Sequence, residues 1–448
     1  MRWLRSAEAV RLIAAVIVAA GAVALIESAN HGGHKSSSAA AHSGQPTLAG
    51  GGTGLAGPAQ RSSAGGSGSK ADGAVTVAGG PAVERSLQRG SMTVVIDQPP
   101  PGLLAQQNQS IAQGAEIAVE QLNAAGGLPG HIRIRLVRQS LDDLSAAALK
   151  ARLGAEAAAV LVLPCDTDSQ LSLAASASEY GMLMLAPCNP DSTAGSRYAT
   201  YWPVGMSASD EAAGLVSAIG RLGYGSVFVV TAPGPRYLEL LTAEFRRAAQ
   251  AEGVELAGSA SIAMTTQDFS GLARAIQAAQ PRPSAIFTAL PPPLVNHMAA
   301  GLLAQGVGQT VIGSTTMDTP LTLSGRSTAL ENATFASYGF PRESAAAHRF
   351  EAEYRKQFGR DPVGGFPGLG LETIRLLQAA VRKAGSAEPA AIQRALSDGI
   401  TLNGVGLADR TYEPGGNHNP IGEVAITKVA SGSFLPLLAV TPKATATP

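Results

Sequence analysis

The segment at residues 160–192 constrains the fold most, because it has the pattern of a strand, a helix and a second strand. Short apolar runs at residues 160–163 and 182–185 predict the two strands. Between them, small and apolar residues recur at helical spacing, namely Leu171, Ala174, Ala175 and Ser178. Strands joined through a helix lie parallel, since a tight turn joins only antiparallel strands. The segment therefore predicts an α/β fold built on a parallel sheet.

Each predicted strand is followed by a proline, a cysteine and polar residues, at residues 164–167 and 187–190. In an open parallel sheet, small ligands bind beyond the carboxyl ends of the strands, where helix amino termini offer free N–H groups. We therefore expect both loops to lie at a ligand-binding edge of the sheet.

The rest of the chain continues the alternation of strands and helices. The whole chain has 448 residues, which is too many for one hydrophobic core. The patterns at residues 91–203 predict one doubly wound lobe, and the alternation starts again at residue 204 to predict a second lobe. Two further long helical patterns, at residues 345–358 and 370–384, exceed what the second lobe needs. The two lobes are therefore not expected to be simple successive segments.

The amino terminus has the pattern of an export signal. Arginines precede an apolar stretch at residues 12–26, which at about 1.5 Å per residue is short for a hydrocarbon core of roughly 30 Å. Residues 1–26 therefore predict either a signal peptide or an uncleaved signal anchor, and an extracytoplasmic protein in both cases. Residues 27–90 are rich in Gly, Ser and Ala, which predicts a flexible linker. Residues 439–448 are expected to be a disordered tail.

Charge and motifs argue against several functions. The chain has 33 basic and 33 acidic residues without a long run of either, so neither nucleic acid nor an anionic membrane surface is indicated as a partner. The predicted folded part has no GxSxG elbow, P-loop, HExxH or CxxC motif. The linker histidines, His31, His34 and His42, are interpreted as solvated residues, because further metal ligands are missing. We predict a protein that is not an enzyme and that has no cofactor or metal site.

The two cysteines, Cys165 and Cys188, end neighbouring predicted strands. Neighbouring strands lie about 4.8 Å apart, which is close to the Cα separation that a disulfide tolerates. An exported protein meets an oxidising compartment. We therefore predict a disulfide that joins the two loops.

Three segments, in order, resemble a known family: residues 114–130 (GAEIAVEQLNAAGGLPG), residues 268–287 (DFSGLARAIQAAQPRPSAIF) and residues 372–417, which begin ETIRLLQAAV. They are similar to segments of the type I periplasmic binding proteins of the branched-chain amino-acid and amide class. The resemblance implies two doubly wound parallel-sheet lobes joined by three crossings of the chain, which close on a ligand. The implied lobes are residues 91–203 with 341–408, and residues 204–340 with 409–438.

The resemblance also implies ligand-binding positions in the first lobe. Thr167 stands where the family has a serine that binds a ligand carboxylate, and Ser169 is a nearby alternative. Thr167 with Gln170 also fits a helix capping box. Asp166 adds a negative charge there, which favours an amide, urea-like or cationic ligand over an amino acid. Asn189, in the second loop, is a further candidate, although it also fits a local turn.

Other candidates lie at the first crossing and in the second lobe. Tyr237 stands where the family has an aromatic residue that stacks on the ligand, although ordinary packing at a helix start is the alternative. Asp318 stands where the family holds an acidic residue against the ligand ammonium, but it also fits a helix N-cap before Thr319 and Pro320. Trp202 is a candidate wall of the cleft or a hinge-packing residue.

These features predict an extracytoplasmic solute-binding receptor for a small polar ligand, such as an amino acid, an amide or a urea-like molecule. Its expected partners are that ligand and the permease of an ABC importer, with membrane contact only through the N-terminal segment. The alternative is a membrane-tethered sensing or regulatory ectodomain of the same fold without a transport role, which the long linker and a retained anchor would favour.

Overall fold

Parallel strand pairing forms two separate sheets in the computed structural model, which describes residues 80–99, 101–102, 104–325, 327–339, 344–406 and 408–442. The first sheet has five strands in the order β2-β1-β3-β4-β5, all of them parallel. The strands are β1 (Ser91–Asp97), β2 (Arg133–Gln139), β3 (Ala158–Val162), β4 (Met184–Ala186) and β5 (Tyr201–Pro203). Strand β2 alternates apolar and charged residues, which is typical of a strand with one solvent-exposed face, and it lies at the edge of the sheet.

Five helices connect and flank these strands. They are α1 (Pro81–Gln88), α2 (Ala105–Ala124), α3 (Ala146–Ala155), α4 (Thr167–Ser178) and α5 (Ala194–Arg197). The helix α1 corrects the prediction that all of residues 27–90 is a flexible linker. Its Val83 and Leu87 are buried, one helical turn apart. The helix α3 begins at Ala146 with Ser145 as its N-cap.

The second lobe repeats the topology of the first. Its parallel strands are β6 (Ser226–Thr231), β7 (Glu255–Ser261), β8 (Ala285–Thr288), β9 (Thr310–Gly313) and β10 (Thr334–Ser337). Their order, β7-β6-β8-β9-β10, matches the order in the first sheet. The helices are α6 (Ala208–Arg221), α7 (Arg236–Glu252), α8 (Ser270–Ala278) and α9 (Leu294–Ala304), with 3-10 turns at Thr315–Met317, Pro320–Leu323 and Ser327–Leu330.

After β10 the chain returns to the first lobe. It forms α10 (Ala345–Phe358), α11 (Phe366–Ala384) and α12 (Pro389–Ser397). The first two are the two further helices that were predicted, although α11 begins before residue 370. The helix α11 packs closely on α2, where Gly114 and Gly370 face the backbone of the other helix. A Cβ atom at Gly114 would overlap the carbonyl oxygen of Pro367, and one at Gly370 would overlap that of Ile111. Glycine is therefore needed at both positions.

A small antiparallel sheet precedes the final crossing. It has the order β11-β12-β13, with β11 (Ile400–Leu402), β12 (Arg410–Tyr412) and β13 (Ile421–Gly422). The chain then adds β14 (Val424–Ala430) and β15 (Ser433–Val440) to the second sheet in antiparallel pairing. The final part of the second lobe therefore begins near Val424. The predicted boundary at residue 409 was wrong, because β12 pairs with β11 and β13.

The predictions for the signal segment, the linker histidines and most of the linker fall on residues 1–79, which lie outside the described residues. The same is true of residues 443–448, although β15 includes the first two residues of the predicted tail. In the described part of the chain, no helix is both long enough and apolar enough to span a membrane.

Candidate functional site

A pocket lies between the carboxyl ends of the strands of the two sheets. The first lobe contributes Leu104, Cys165, Cys188, Asn189 and Pro190. The second lobe and the adjoining crossings contribute Met206, Glu211, Tyr237, Thr315, Thr316, Tyr338 and Phe366. The cavity volume is about 30 Å³, which is room for about one or two water molecules. Both lobes thus meet around a small, mostly apolar space.

The two loops of the first lobe are joined covalently and by hydrogen bonds. Cys165 and Cys188 form a disulfide, with their Cα atoms 5.1 Å apart. The buried Gln170 donates from Nε2 to the carbonyl oxygens of Pro164 at 2.7 Å and Cys188 at 3.0 Å. The Tyr201 hydroxyl donates to Gln170 Oε1 at 3.2 Å. One side chain therefore fixes the spacing of both pocket loops.

The amino terminus of α4 is arranged differently from the predicted capping box. Asp166, rather than Thr167, is the N-cap, and its carboxylate accepts the N–H of Ser169 at 3.0 Å. Thr167 is the first helical residue and is buried, and its hydroxyl has no hydrogen-bond partner among the described residues. The Ser169 hydroxyl hydrogen-bonds to Asp142. Burial raises the pKa of Asp142, and the hydrogen bond from Ser169 opposes this effect. None of Asp166, Thr167 and Ser169 is among the residues that line the pocket.

Asn189 lines the pocket and links it to the last crossing. Its Nδ2 donates to Asn419 Oδ1 at 2.9 Å, while its own Oδ1 has no partner within the described chain. Its backbone also forms an isolated parallel bridge with Ser207, at the start of α6. The buried amide oxygen is therefore available as a hydrogen-bond acceptor.

Glu211 supplies the carboxylate of the pocket, a role that the sequence reasoning missed. It lies in the first turn of α6, behind a capping box of Ser207 and Asp210, and is only 2% exposed. It accepts the Thr315 N–H at 2.7 Å and the Tyr237 hydroxyl at 2.7 Å. Burial raises its pKa to about 7, against the lowering effect of these hydrogen bonds. The available signal was its spacing with Ala208, Ala212 and Leu215 on the buried face of the helix.

Tyr237 lines the pocket, whereas Asp318 does not. The Asp318 carboxylate accepts the Ser337 hydroxyl at 2.7 Å and the Gly365 N–H at 2.8 Å. Asp318 thereby accepts a free backbone N–H at the amino terminus of α11, which follows the second crossing. Burial raises its pKa to about 6. The predicted N-cap role of Asp318 before Thr319 was wrong, since Thr319 itself caps the following 3-10 turn.

Trp202 packs in the hinge rather than against the pocket. It is buried, and its Nε1–H donates to Gln393 Oε1 at 2.8 Å. Its ring stacks on His418 with centroids 3.7 Å apart and meets Tyr412 edge-on at 6.2 Å. Of the two predicted alternatives for Trp202, these contacts support hinge packing.

The fold and the interlobe pocket define a two-lobed binding protein, and the comparisons with known proteins agree. The sequence profile of the periplasmic binding protein family matches residues 93–433. The chain therefore belongs to this family, and its membership implies an extracytoplasmic location. The type I fold that the resemblance implied is confirmed.

Solved structures share this fold at low sequence identity. A leucine binding protein from Thermotoga maritima is 20% identical, with a TM-score of 0.68 over 79% of this chain and 99% of that one. A branched-chain amino acid transporter substrate binding protein from Streptococcus pneumoniae, in complex with isoleucine, is 17% identical, with a TM-score of 0.67 over 79% and 99%. An ABC transporter solute binding protein from R. palustris, in complex with benzoate, is 16% identical, with a TM-score of 0.66 over 79% and 96%. No curated protein sequence matches the chain.

Proposed function

We propose that this protein is an extracytoplasmic receptor that captures a small polar ligand between its lobes and delivers it to an ABC importer. The observation that carries the proposal is a pocket built by the loops at the strand ends of both sheets. Family membership supports it, as do solved structures of the same fold: one is described as a leucine binding protein, and two as transporter binding proteins in complex with isoleucine and with benzoate.

We assign direct ligand contact to Asn189 and Tyr237, one from each lobe. The amide oxygen of Asn189 is a buried polar atom without a partner in the described chain, and such an atom gains most from a ligand that hydrogen-bonds to it. The buried hydroxyl of Thr167 also lacks a partner there, but Thr167 does not line the pocket. Four other candidates are assigned supporting roles without direct ligand contact, because their side chains are hydrogen-bonded within the protein: Asp166, Ser169, Trp202 and Asp318.

The lobes must move apart to admit a ligand. A cavity of about 30 Å³ is far smaller than the roughly 300–1,000 Å³ of small-molecule pockets. Rigid lobes with few crossings are suited to hinge motion, which opens and closes such a cleft. We therefore expect an open form that binds the ligand and a closed form that holds it.

Thermal-shift screening against amino acids, amides and urea-like molecules tests ligand capture, since a ligand that binds the folded state raises its apparent stability. Small-angle X-ray scattering of a hit should then show a more compact protein. Asn189→Ala should weaken the shift, whereas Asn403→Ala, at an exposed loop position, should not. If no solute changes either stability or compactness, the receptor proposal fails.

The transport step needs its own test. Reconstituted permease in vesicles should hydrolyse ATP faster when the receptor carries its ligand than when it is empty. A ligand that closes the lobes without stimulating any importer would instead favour the sensing alternative.

A further inference from the structure

Of the described residues that line the pocket, Glu211 alone is acidic or basic, and its carboxyl group is ionised above about pH 7. Its two oxygens accept the Thr315 N–H, the Tyr237 hydroxyl and, at 3.3 Å, the Thr315 hydroxyl. A carboxylate has about four lone-pair positions, so one more donor can be accommodated. No basic side chain of the described chain forms an ion pair with it. The second lobe therefore presents an acceptor to a ligand.

The first lobe has already used donors that an anionic ligand would need. The Cys165 N–H donates to Asn108 Oδ1 at 2.8 Å, and the Ser169 N–H donates to the Asp166 carboxylate. The Asp166 carboxylate thus lies at the amino terminus of α4, the positive end of the helix dipole, where an anionic ligand would otherwise bind. The Asp142 carboxylate lies against Ser169 and adds a second negative charge. A ligand carboxylate at this loop would meet like charge.

The buried cation of the hinge does not compensate. The Arg410 guanidinium donates to the carbonyl oxygens of Glu423 at 3.3 Å and Tyr338 at 3.4 Å, and not to Glu211. Most of the remaining walls are apolar or aromatic and include Leu104, Met206 and Phe366; the uncharged polar side chains there include Asn189, Thr315 and Thr316. These walls suit an alkyl or aryl group, whereas the charge distribution suits a donor.

We infer that Glu211 determines the ligand class: the pocket takes a small molecule with an apolar group and a hydrogen-bond-donating nitrogen, and it discriminates against carboxylates. The nitrogen is that of a protonated amine or an amide. This inference rests on the proposed receptor function and adds the charge and polarity of the ligand. A ligand nitrogen that donates to Glu211 forms a hydrogen bond with a buried carboxylate. A ligand carboxylate would instead bury a second negative charge beside that of Glu211.

Two matched ligand sets test the inference by isothermal titration calorimetry of the whole protein. The aliphatic set is 3-methylbutylamine, isovaleramide, isovalerate and leucine, which share one branched alkyl group. The aromatic set is benzylamine, benzamide and benzoate. In at least one set, the amine or amide should bind about tenfold or more tightly than the acid, as a hydrogen bond to a buried charged group implies. Leucine should bind more weakly than 3-methylbutylamine.

The variant Glu211→Gln preserves the size of the side chain and removes its charge. It should abolish about tenfold of preference for the amine over the acid. Glu239→Gln, on the exposed side of α7 close to Tyr237, makes the same charge change and should leave the series unaltered. Circular dichroism verifies that both variants fold. If Glu211→Gln does not fold, the wild-type series decides alone.

Equal or tighter binding of isovalerate, benzoate or leucine overturns the inference, and so does a failure of every amine and amide to bind. The receptor function fails separately. An acid that binds and makes the protein more compact refutes only the ligand class, whereas the absence of any solute-driven compaction in the wider screen refutes the receptor itself.

Discussion

At the scale of single residues, buried carboxyl groups around the cleft have unusual proton affinities. Burial raises the pKa of Glu211 to about 7, that of Asp97 to about 7 and that of Asp318 to about 6. Backbone N–H donors oppose the effect, namely Leu141 for Asp97 and Gly365 for Asp318. These groups remain protonated in the folded state at pH values at which they ionise in the unfolded chain. Folding is therefore coupled to proton uptake.

For Glu211, this coupling predicts a pH dependence with a definite sign. Its pKa is 4.5 when unperturbed and about 7 in the folded protein, so its protonation stabilises the folded state fully below pH 4.5. That contribution is lost as the pH rises to about 7, by at most about 1.4 kcal/mol per pH unit. Urea denaturation of the ligand-free protein between pH 5 and 7 measures the slope. Asp97 and Asp318 contribute to the slope in the same pH range, so Glu211→Gln should reduce the slope without abolishing it, and an unchanged slope would contradict the assignment.

Gln170 permits a second prediction at this scale. Gln170→Ala removes one donor from the carbonyl oxygens of both pocket loops and leaves them buried. The free energy of unfolding should fall by about 2–3 kcal/mol. Gln277→Ala provides the control, because the exposed Gln277 side chain donates to one carbonyl oxygen, that of Gln305. We expect the control to change stability by less than about 0.5 kcal/mol in the same urea titration. Equal effects of the two changes would argue against the bridging role.

At the scale of secondary-structure elements, the contact between α2 and α11 depends on glycine. Gly114→Ala would place a methyl group against the backbone of α11, and the free energy of unfolding should fall by about 3 kcal/mol or more. Gly220→Ala, in α6, is the matched control, since no atom lies within 4 Å of the added Cβ. It should be neutral or stabilise by up to about 1 kcal/mol. Thermal or urea denaturation of both variants decides, and a neutral Gly114→Ala would refute the close-packing argument.

The long helices were predictable from periodicity, and the short strand β4 was predictable from its apolar run, but other short strands were not. The helix α10 has the predicted limits, because its apolar spacing and its terminal Gly359 are local signals. The strands β5 and β10 have only three and four residues and were missed, since their burial depends on strands far away in the sequence. The helix α1 was missed because its apolar residues are few and follow a low-complexity segment. Local pattern thus determines helices better than sheet partners.

The same distinction applies to the site. Asn189 was a candidate because its loop follows a predicted strand, and Tyr237 because the family resemblance implied an aromatic residue there; the topology brings both to the pocket. Asp318 also follows a strand, but Ser337 and Gly365, which occupy its carboxylate, come from distant parts of the chain. The packing of Trp202 on His418 depends likewise on the final crossing. Which polar groups remain free for a ligand is a tertiary property that sequence spacing does not contain.

At the scale of the whole molecule, the disulfide joins loops from adjacent strands at the cleft. Its sequence separation is 23 residues, for which loop-closure entropy predicts a stabilisation of about 3 kcal/mol. The double change Cys165→Ala and Cys188→Ala should lower the free energy of unfolding by that amount. A reductant should destabilise the wild type and not the double variant. Mass spectrometry of non-reduced peptides checks the bond directly, and two free thiols would refute it.

The returning strands β14 and β15 have a further consequence. They leave the last described residues on the second lobe, whereas α1 lies on the first lobe against β1. A donor fluorophore just before Pro81 and an acceptor fluorophore just after Val440 would therefore be attached to different lobes. Energy transfer between these two labels would report each opening and closing event in real time, without any label in the binding site.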